Sequence, residues 1–255
     1  MLTQPTIDKL HELKLLGMAS GLDEQRQNPT AFADLDFDDR FGLLVEAEHL
    51  CRDNRRMTIA LKNAKLKIAG ACLEDIDYSP RRKLQRSVIR QLSTCRWIEE
   101  HQQVLISGAA GVGKTYLACA LANQACRRGL RAFYRRASRL FDEFLLARAD
   151  GTYARLLARL ARFDVLIIDD LAMAPLNDTQ RHDLYEIFDD RYGTRSSIIT
   201  SQLDPKLWHD FFAEPTIADA ICDRLLHNAH RIVLSGPSKR DPKNAPKEDN
   251  KTIDD

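Results

Sequence analysis

The stretch Val104-Leu-Ile-Ser-Gly108-Ala-Ala-Gly111-Val-Gly113-Lys114-Thr115 decides the fold. Val104–Ser107 is a short apolar run of the kind that forms a strand covered on both faces. The residues after it fit the pattern G-x-x-x-x-G-K-[ST]. Glycines at these places let the backbone wrap with its N–H groups pointing inward, an anion nest that continues into a helix N-terminus. Tyr116–Arg128 supplies that helix, with Gly129 as its stop. Lys114 then reaches the β and γ phosphates of a nucleoside triphosphate, and the Thr115 hydroxyl is a ligand for Mg²⁺. Gly108, Ala109, Ala110, Gly111, Val112, Gly113 and Tyr116 complete the expected cradle for ATP. A glycine-rich strand–helix turn that binds nothing is the simpler alternative, and the flanking strand and helix weigh against it.

Further along, Val165-Leu-Ile-Ile-Asp169-Asp170 is an apolar strand ending in two acids, which puts both at the carboxyl edge of a sheet beside the phosphate loop. Asp169 is expected to hold Mg²⁺ through water, and Asp170 to orient or deprotonate the attacking water. An acid pair after a strand is by itself better explained by a turn or helix cap; the phosphate loop upstream reverses that reading. Ser197-Ile-Ile-Thr200-Ser201-Gln202 is a third strand ending in polar residues. Among these, Ser201 is a candidate to touch the γ-phosphate or the water, and the start of a turn is nearly as good a reading for any single one of them.

Five strands are predicted in all, Val104–Ser107, Arg131–Arg135, Val165–Asp169, Ser197–Ser201 and Arg231–Leu234, alternating with helices. That rhythm predicts a mainly parallel α/β sheet with right-handed crossovers. With an additional strand between the phosphate-loop and metal strands, the expected order is fifth, first, fourth, third, second. Residues 1–80 read as a small all-helical domain for oligomerisation or partner binding. In it, Ile7, Leu10, Leu13 and Leu16 form a stripe stopped at Gly17, and a long helix runs from near Asp38 toward Leu66. A turn-like Glu74–Pro80 and a basic helix Arg81–Leu92 lead into an ATPase domain over 81–236. Residues 237–255 are nearly free of apolar side chains and read as a disordered tail. The chain stops soon after the last strand, so no full helical lid is expected.

The 255 residues are 44% hydrophobic and 29% charged, with a formal net charge of +1. The charge is segregated. Residues 51–67 hold Arg52, Arg55, Arg56, Lys62, Lys65 and Lys67 against Asp53 alone, and 81–90 hold Arg81, Arg82, Lys83, Arg86 and Arg90 with no acid. With Arg127, Arg128, Arg131, Arg135, Arg136 and Arg139 they make a candidate path for a phosphate backbone, although a solvated helix face is the better reading of any single one of them. The six cysteines form no C-x-x-C pair and read as reduced, mostly buried small hydrophobes. With no signal layout and no apolar run long enough to span a bilayer, a cytoplasmic protein with no membrane partner is expected. His227 and His230 stand at H-x-x-H spacing without an evident third ligand.

Several stretches carry a resemblance: Gly108–Thr115 continuing as Tyr116-Leu-Ala-Cys-Ala-Leu-Ala, Ala125-Cys-Arg-Arg-Gly129, Asp169-Asp170-Leu171 with Pro175-Leu176, Asp190-Arg-Tyr-Gly, Thr200-Ser-Gln, and Leu73-Glu-Asp-Ile-Asp-Tyr78. Pro215-Thr-Ile-Ala-Asp-Ala-Ile-Cys-Asp-Arg224-Leu with His227-Asn-Ala-His230-Arg makes it specific. Over roughly residues 5–240 the chain resembles the AAA+ ATPases of the IstB kind, transposition helpers of insertion sequences related to DnaC helicase loaders. The resemblance implies an ATPase that assembles head to tail on duplex DNA, presents the target to a partner transposase, and uses Arg224 as an arginine finger in the neighbouring subunit's site. On its own residues Arg224 reads as a helix-surface partner of Asp219 or Asp223. Asp stands at 170 where most AAA+ enzymes have Glu, a shorter arm consistent with slow hydrolysis. A helicase-loader adaptor gripping its partner through residues 1–80 is the competing reading. A small-molecule kinase would need an acceptor pocket and a lid, for which the sequence offers no candidate.

Overall fold

The computed structural model describes residues 3–239, so most of the expected tail lies outside the described residues. Two compact units divide between Ala60 and Leu61. Residues 61–80, expected with the helical domain, therefore belong to the second unit.

The first unit holds helices α1 (Thr3–Glu12), α2 (Leu16–Gln27) and most of α3 (Phe37–Ala64). Gly17 does not stop a helix as expected. It sits in the first turn of α2, buried where α2 crosses α3; a Cβ there would lie 2.3 Å from the Ala47 carbonyl oxygen. Only hydrogen fits at that crossing. The α2 N-terminus has no side-chain cap of its own, and the nearly buried Glu48 of α3 supplies one: its carboxylate accepts from the N–H groups of Gly17 at 2.7 Å and Met18 at 3.2 Å. A carboxylate facing the positive end of a helix satisfies orphan donors and complements the dipole. The break in the stripe falls at residues 13–15 instead, and Leu13 and Leu16 are left exposed.

The second unit is built on five strands, β1 (Gln103–Gly108), β2 (Ala132–Arg136), β3 (Val165–Leu171), β4 (Ser196–Ser201) and β5 (Ala229–Leu234). Every pairing is parallel and the order is β2-β3-β4-β1-β5, the expected order, with each strand within two residues of its expected bounds. Short helices α4 (Arg86–Ser93) and α5 (Arg96–Glu99) precede β1; α6 (Lys114–Arg127) follows it. Helices α7 (Ala137–Ala149), α8 (Tyr153–Ala161), α9 (Asp178–Arg191), α10 (Trp208–Phe212) and α11 (Pro215–Leu226) complete the unit. Leu105, Leu166, Ile168 and Ile199 face a core shared with Leu140, Phe144, Leu184, Phe188, Trp208 and Ile221 of these helices. Their strand neighbours Val104, Ile106, Ile167 and Ile198 are equally buried, as the two-residue period of a doubly covered sheet requires.

Arg191, in the Asp190-Arg-Tyr-Gly stretch, is fully buried and donates to the carbonyls of Leu160 at 2.8 Å and Phe163 at 2.9 Å, to that of Ser196, and to the Ser197 hydroxyl at 3.2 Å. Burial pulls this guanidinium down to about 9. Its five fixed donors tie α8, α9 and the start of β4 together, a structural role for that signature. The cysteines are all free, with Cys95, Cys119 and Cys126 buried as expected. Among the described residues no helix is long and apolar enough to cross a membrane.

Candidate nucleotide site

The loop between β1 and α6 has all three of its glycines in the left-handed half of backbone space, with φ of 147° at Gly108, 80° at Gly111 and 95° at Gly113. Lys114 begins α6 and is 5% exposed. Its ammonium donates to the carbonyls of Gly108 and Ala109, each at 2.8 Å, so the cation is folded back onto its own loop. The Tyr116 hydroxyl lies 3.4 Å from both the N and the O of Cys72, and the residue lines the same cavity as Lys114 and Thr115.

Asp169 is fully buried and surrounded by hydroxyls. Thr115 Oγ1 donates to it at 2.8 Å, Tyr134 OH at 2.6 Å and Thr200 Oγ1 at 2.6 Å. Burial, and then the bond to Asp169, pushes the Tyr134 phenol far above its usual range, so it stays a donor. Lys67 Nζ stands 3.9 Å from the same carboxylate. The pairing of β3 with β4 slips between Ile168 and Leu171, so that Asp169 and Asp170 together oppose Thr200. This is a β-bulge, and Asp170 within it has φ 58°. The bulge matters because successive residues of a regular strand face opposite sides of the sheet. It turns the second acid toward the loop as well: Asp170 lines the same cavity of about 540 Å³ as Lys114 and Thr115. Thr200 binds both acids, donating to Asp169 and accepting the Asp170 N–H at 2.9 Å. Arg136, at the end of β2, pairs with the Asp170 carboxylate at 3.0 Å.

The Thr115 hydroxyl and the Asp169 carboxylate are in direct contact, and an all-oxygen set of this kind suits a hard divalent cation such as Mg²⁺. Ser201 is placed differently from the expectation. It is fully buried, its hydroxyl donating to Leu171 O at 2.9 Å and accepting from Leu203 N–H at 3.0 Å, so a backbone turn occupies it. The polar residues of β4 that reach the site are its neighbours Thr200 and Gln202, the latter lining the cavity. Arg224 is not among the cavity's lining residues. Its partner is neither Asp219 nor Asp223 but Asp189 of α9, at 2.9 Å from Nε, and it lies between the rings of Tyr185 and Tyr192. His227 faces Asp223 at 3.5 Å, and His230 faces Gln102 at 2.5 Å, so the two rings do not converge.

Three cavity residues were grouped with the basic DNA path in the sequence, Lys67, Arg82 and Arg136. Arg82 is 7% exposed, donates to Val112 O and pairs with Asp77 at 3.2 Å. A basic run contains nothing that marks which of its members turns inward. Others in that set are paired within the chain: Arg127 with Glu74, Arg131 with Asp164, Arg135 with Glu143. Arg81, Lys83 and Arg90 are exposed and have no ion-pair partner among the described residues.

The family model for IstB-like ATP-binding proteins matches residues 8–246. The chain belongs to that family. It is 47% identical to the insertion-sequence ATP-binding protein y4pL of Sinorhizobium fredii over 240 residues, covering 94% of this chain and 97% of that one. It is also 47% identical to the ATP-binding protein of insertion sequence IS1162 of Pseudomonas fluorescens, over 80% of this chain and 87% of the relative. The crystal structure of the DnaC helicase loader superposes with a TM-score of 0.55 at 21% identity, covering 65% of this chain and 97% of that one. That likeness is one of fold, and the five-stranded parallel sheet with its phosphate loop is the AAA+ arrangement of this IstB-like chain.

Replacing Thr200 with the equally shaped Val removes one donor to a buried carboxylate and one acceptor for the Asp170 N–H. Thr200→Val is expected to lower stability by about 1–3 kcal/mol, read as a shift of the urea unfolding midpoint without a change in slope.

Proposed function

We propose that this IstB-like protein binds Mg-ATP on the loop Gly108–Thr115 and hydrolyses it slowly, with Asp170 orienting the water. The observation that carries the reading is the Thr115–Asp169 contact beside Lys114 and Asp170, at one end of a cavity large enough for a nucleotide. Thr115 and Asp169 would hold Mg²⁺, which when bound neutralises charge on the phosphate oxygens. Lys114 exchanges the Gly108 and Ala109 carbonyls for β- and γ-phosphate oxygens, and the loop's N–H groups hold the rest. Asp170 leaves Arg136 and accepts a hydrogen bond from the water aimed at the γ-phosphorus; Arg136 keeps the acid paired until then. Lys114→Ala is expected to abolish binding of a fluorescent ATP analogue. Asp170→Asn keeps the shape but loses the charge, so binding persists while turnover falls by roughly a hundredfold or more. Normal hydrolysis in Asp170→Asn would remove it from the mechanism.

Arg224 is proposed to complete the site of a neighbouring subunit in a head-to-tail assembly. Its place outside its own cavity supports this, as does its half-buried seat on Tyr185 and Tyr192, which holds the guanidinium at a surface. Arginine fingers contribute on the order of 10³–10⁵ in rate. A mixture of Arg224→Ala and Lys114→Ala proteins should recover activity that neither has alone; no recovery in a co-assembled mixture would count against action in trans.

The assembly is proposed to form on duplex DNA and to present it to a partner transposase, in keeping with the insertion-sequence names of the relatives. Arg81, Lys83 and Arg90 are among the exposed cations of the second unit proposed for the backbone contact, because no acid of the described residues pairs with them. Few charges per subunit mean that tight binding requires ATP-driven assembly. Polarisation titrations of labelled duplex should show cooperative binding only with ATP, weakening as salt rises by about 0.9 counterion per phosphate contacted. Negligible DNA affinity with ATP at low salt would favour the helicase-loader reading instead.

A further inference from the structure

An anion nest has an outer side. If the N–H groups of Gly111 and Val112 point inward to a phosphate, their carbonyls point outward and need donors of their own. Both find them, from two segments distant in sequence. Beyond β5 the chain turns back across the loop, and the Lys239 N–H donates to Gly111 O at 2.9 Å. Arg82 donates to Val112 O from the other segment. The two segments are joined to each other. Ser235 N–H donates to Arg82 O at 3.2 Å, and Asp77 pairs with both Arg82, at 3.2 Å, and Lys239, at 3.6 Å. The fit is close: a Cβ on Gly111 would lie 2.0 Å from Ser238 Oγ. Asp77, Arg82 and Lys239 line the same cavity as Lys114 and Thr115.

We propose that Ser235–Lys239, with Arg82 and Asp77, is a clasp that sets the phosphate loop in its anion-accepting shape before the nucleotide arrives, Lys239 and Arg82 acting as positioning residues for nucleoside triphosphate binding. The inference rests on the reading of Gly108–Thr115 as the ATP site. The physical reason is preorganisation. A loop that must order itself on binding loses affinity to that ordering, whereas one already held by outward hydrogen bonds does not. The clasp also links the segment before β1 to the segment after β5, so two stretches distant in sequence hold the loop together. Because the Lys239 contact to the loop is a backbone bond, the identity of the side chain matters less than the presence of the N–H.

The test uses full-length variants and a fluorescent methylanthraniloyl ATP. Lys239→Pro removes the N–H and is expected to weaken binding roughly tenfold, the scale of one hydrogen bond. Lys239→Ala keeps the N–H and loses the ammonium with its pairing to Asp77, so it is expected to weaken binding less than Lys239→Pro, the difference between the two reading the backbone bond. The nucleotide-free melting temperature should be the same for both, since the clasp acts on the loop and not on the core. A Lys239→Pro protein that binds like wild type while Lys114→Ala does not would overturn the clasp and leave the ATP site intact. Equal loss in Lys239→Pro and Lys239→Ala would overturn the backbone bond as its cause. Normal binding by Lys114→Ala would instead overturn the site itself. Hydrogen exchange on the unmodified protein supplies a check independent of any variant. The Lys239 amide should be protected without nucleotide and more so with it, and fast exchange in both states would overturn the proposal.

Discussion

One buried carboxylate organises the second unit. Asp169 is reached by hydroxyls from the first turn of α6, from β2 and from β4, while it stands itself on β3. A bare carboxylate in a dry interior carries a large desolvation cost, and three short charge-assisted bonds offset it. They also fix, to within a hydrogen bond, the relative positions of the helix that begins at the phosphate loop and three strands of the sheet. Those positions define the candidate site. The hydroxyls do not neutralise the charge as an arginine would, and so leave the oxygens able to act toward a cation.

The bulge at Asp169–Asp170 is the second half of this arrangement. Two adjacent acids on a regular strand serve opposite faces, and only one of them would reach the loop. By inserting a residue opposite Thr200 and giving Asp170 a left-handed conformation, the chain serves the phosphate loop with both acids in divided roles, Asp169 buried against Thr115 and Asp170 lining the cavity. Asp169 is saturated with donors; Asp170 has a single cationic partner in Arg136. The difference in environment separates a group suited to hold charge in place from one suited to act on a proton.

The sheet was legible because its cues are local. Apolar runs, glycine spacing and the alternation of strand with helix marked five strands and the phosphate loop with its two acids; the order, which spacing does not carry, came from taking Ser197–Ser201 as the additional strand. What the sequence hid depends on contacts distant along the chain. Gly17 looks like a helix stop, yet it is needed where α2 meets the Ala47 backbone. Ser201, Thr200 and Gln202 are equally polar, and only the fold decides that the first is turned into backbone bonds, the second onto Asp169 and the Asp170 N–H, and the third toward the cavity. Arg82 sits in a basic run of like residues, and burial alone distinguishes it. For Arg224 the sequence offered acids on its own helix, whereas the partner came from α9.

Lys114 is solvated by its own loop, through the carbonyls of Gly108 and Ala109. A ligand therefore enters by ion exchange, since it must match those two dipoles before it gains anything from the ammonium. A lone phosphate or sulfate, with one small cluster of oxygens, recovers little beyond what it displaces. A polyphosphate replaces both carbonyls and adds the loop's N–H groups along its length. Under the proposed ATP reading, the resting position of this side chain sets a threshold that favours chains of phosphates over simple anions such as phosphate and sulfate.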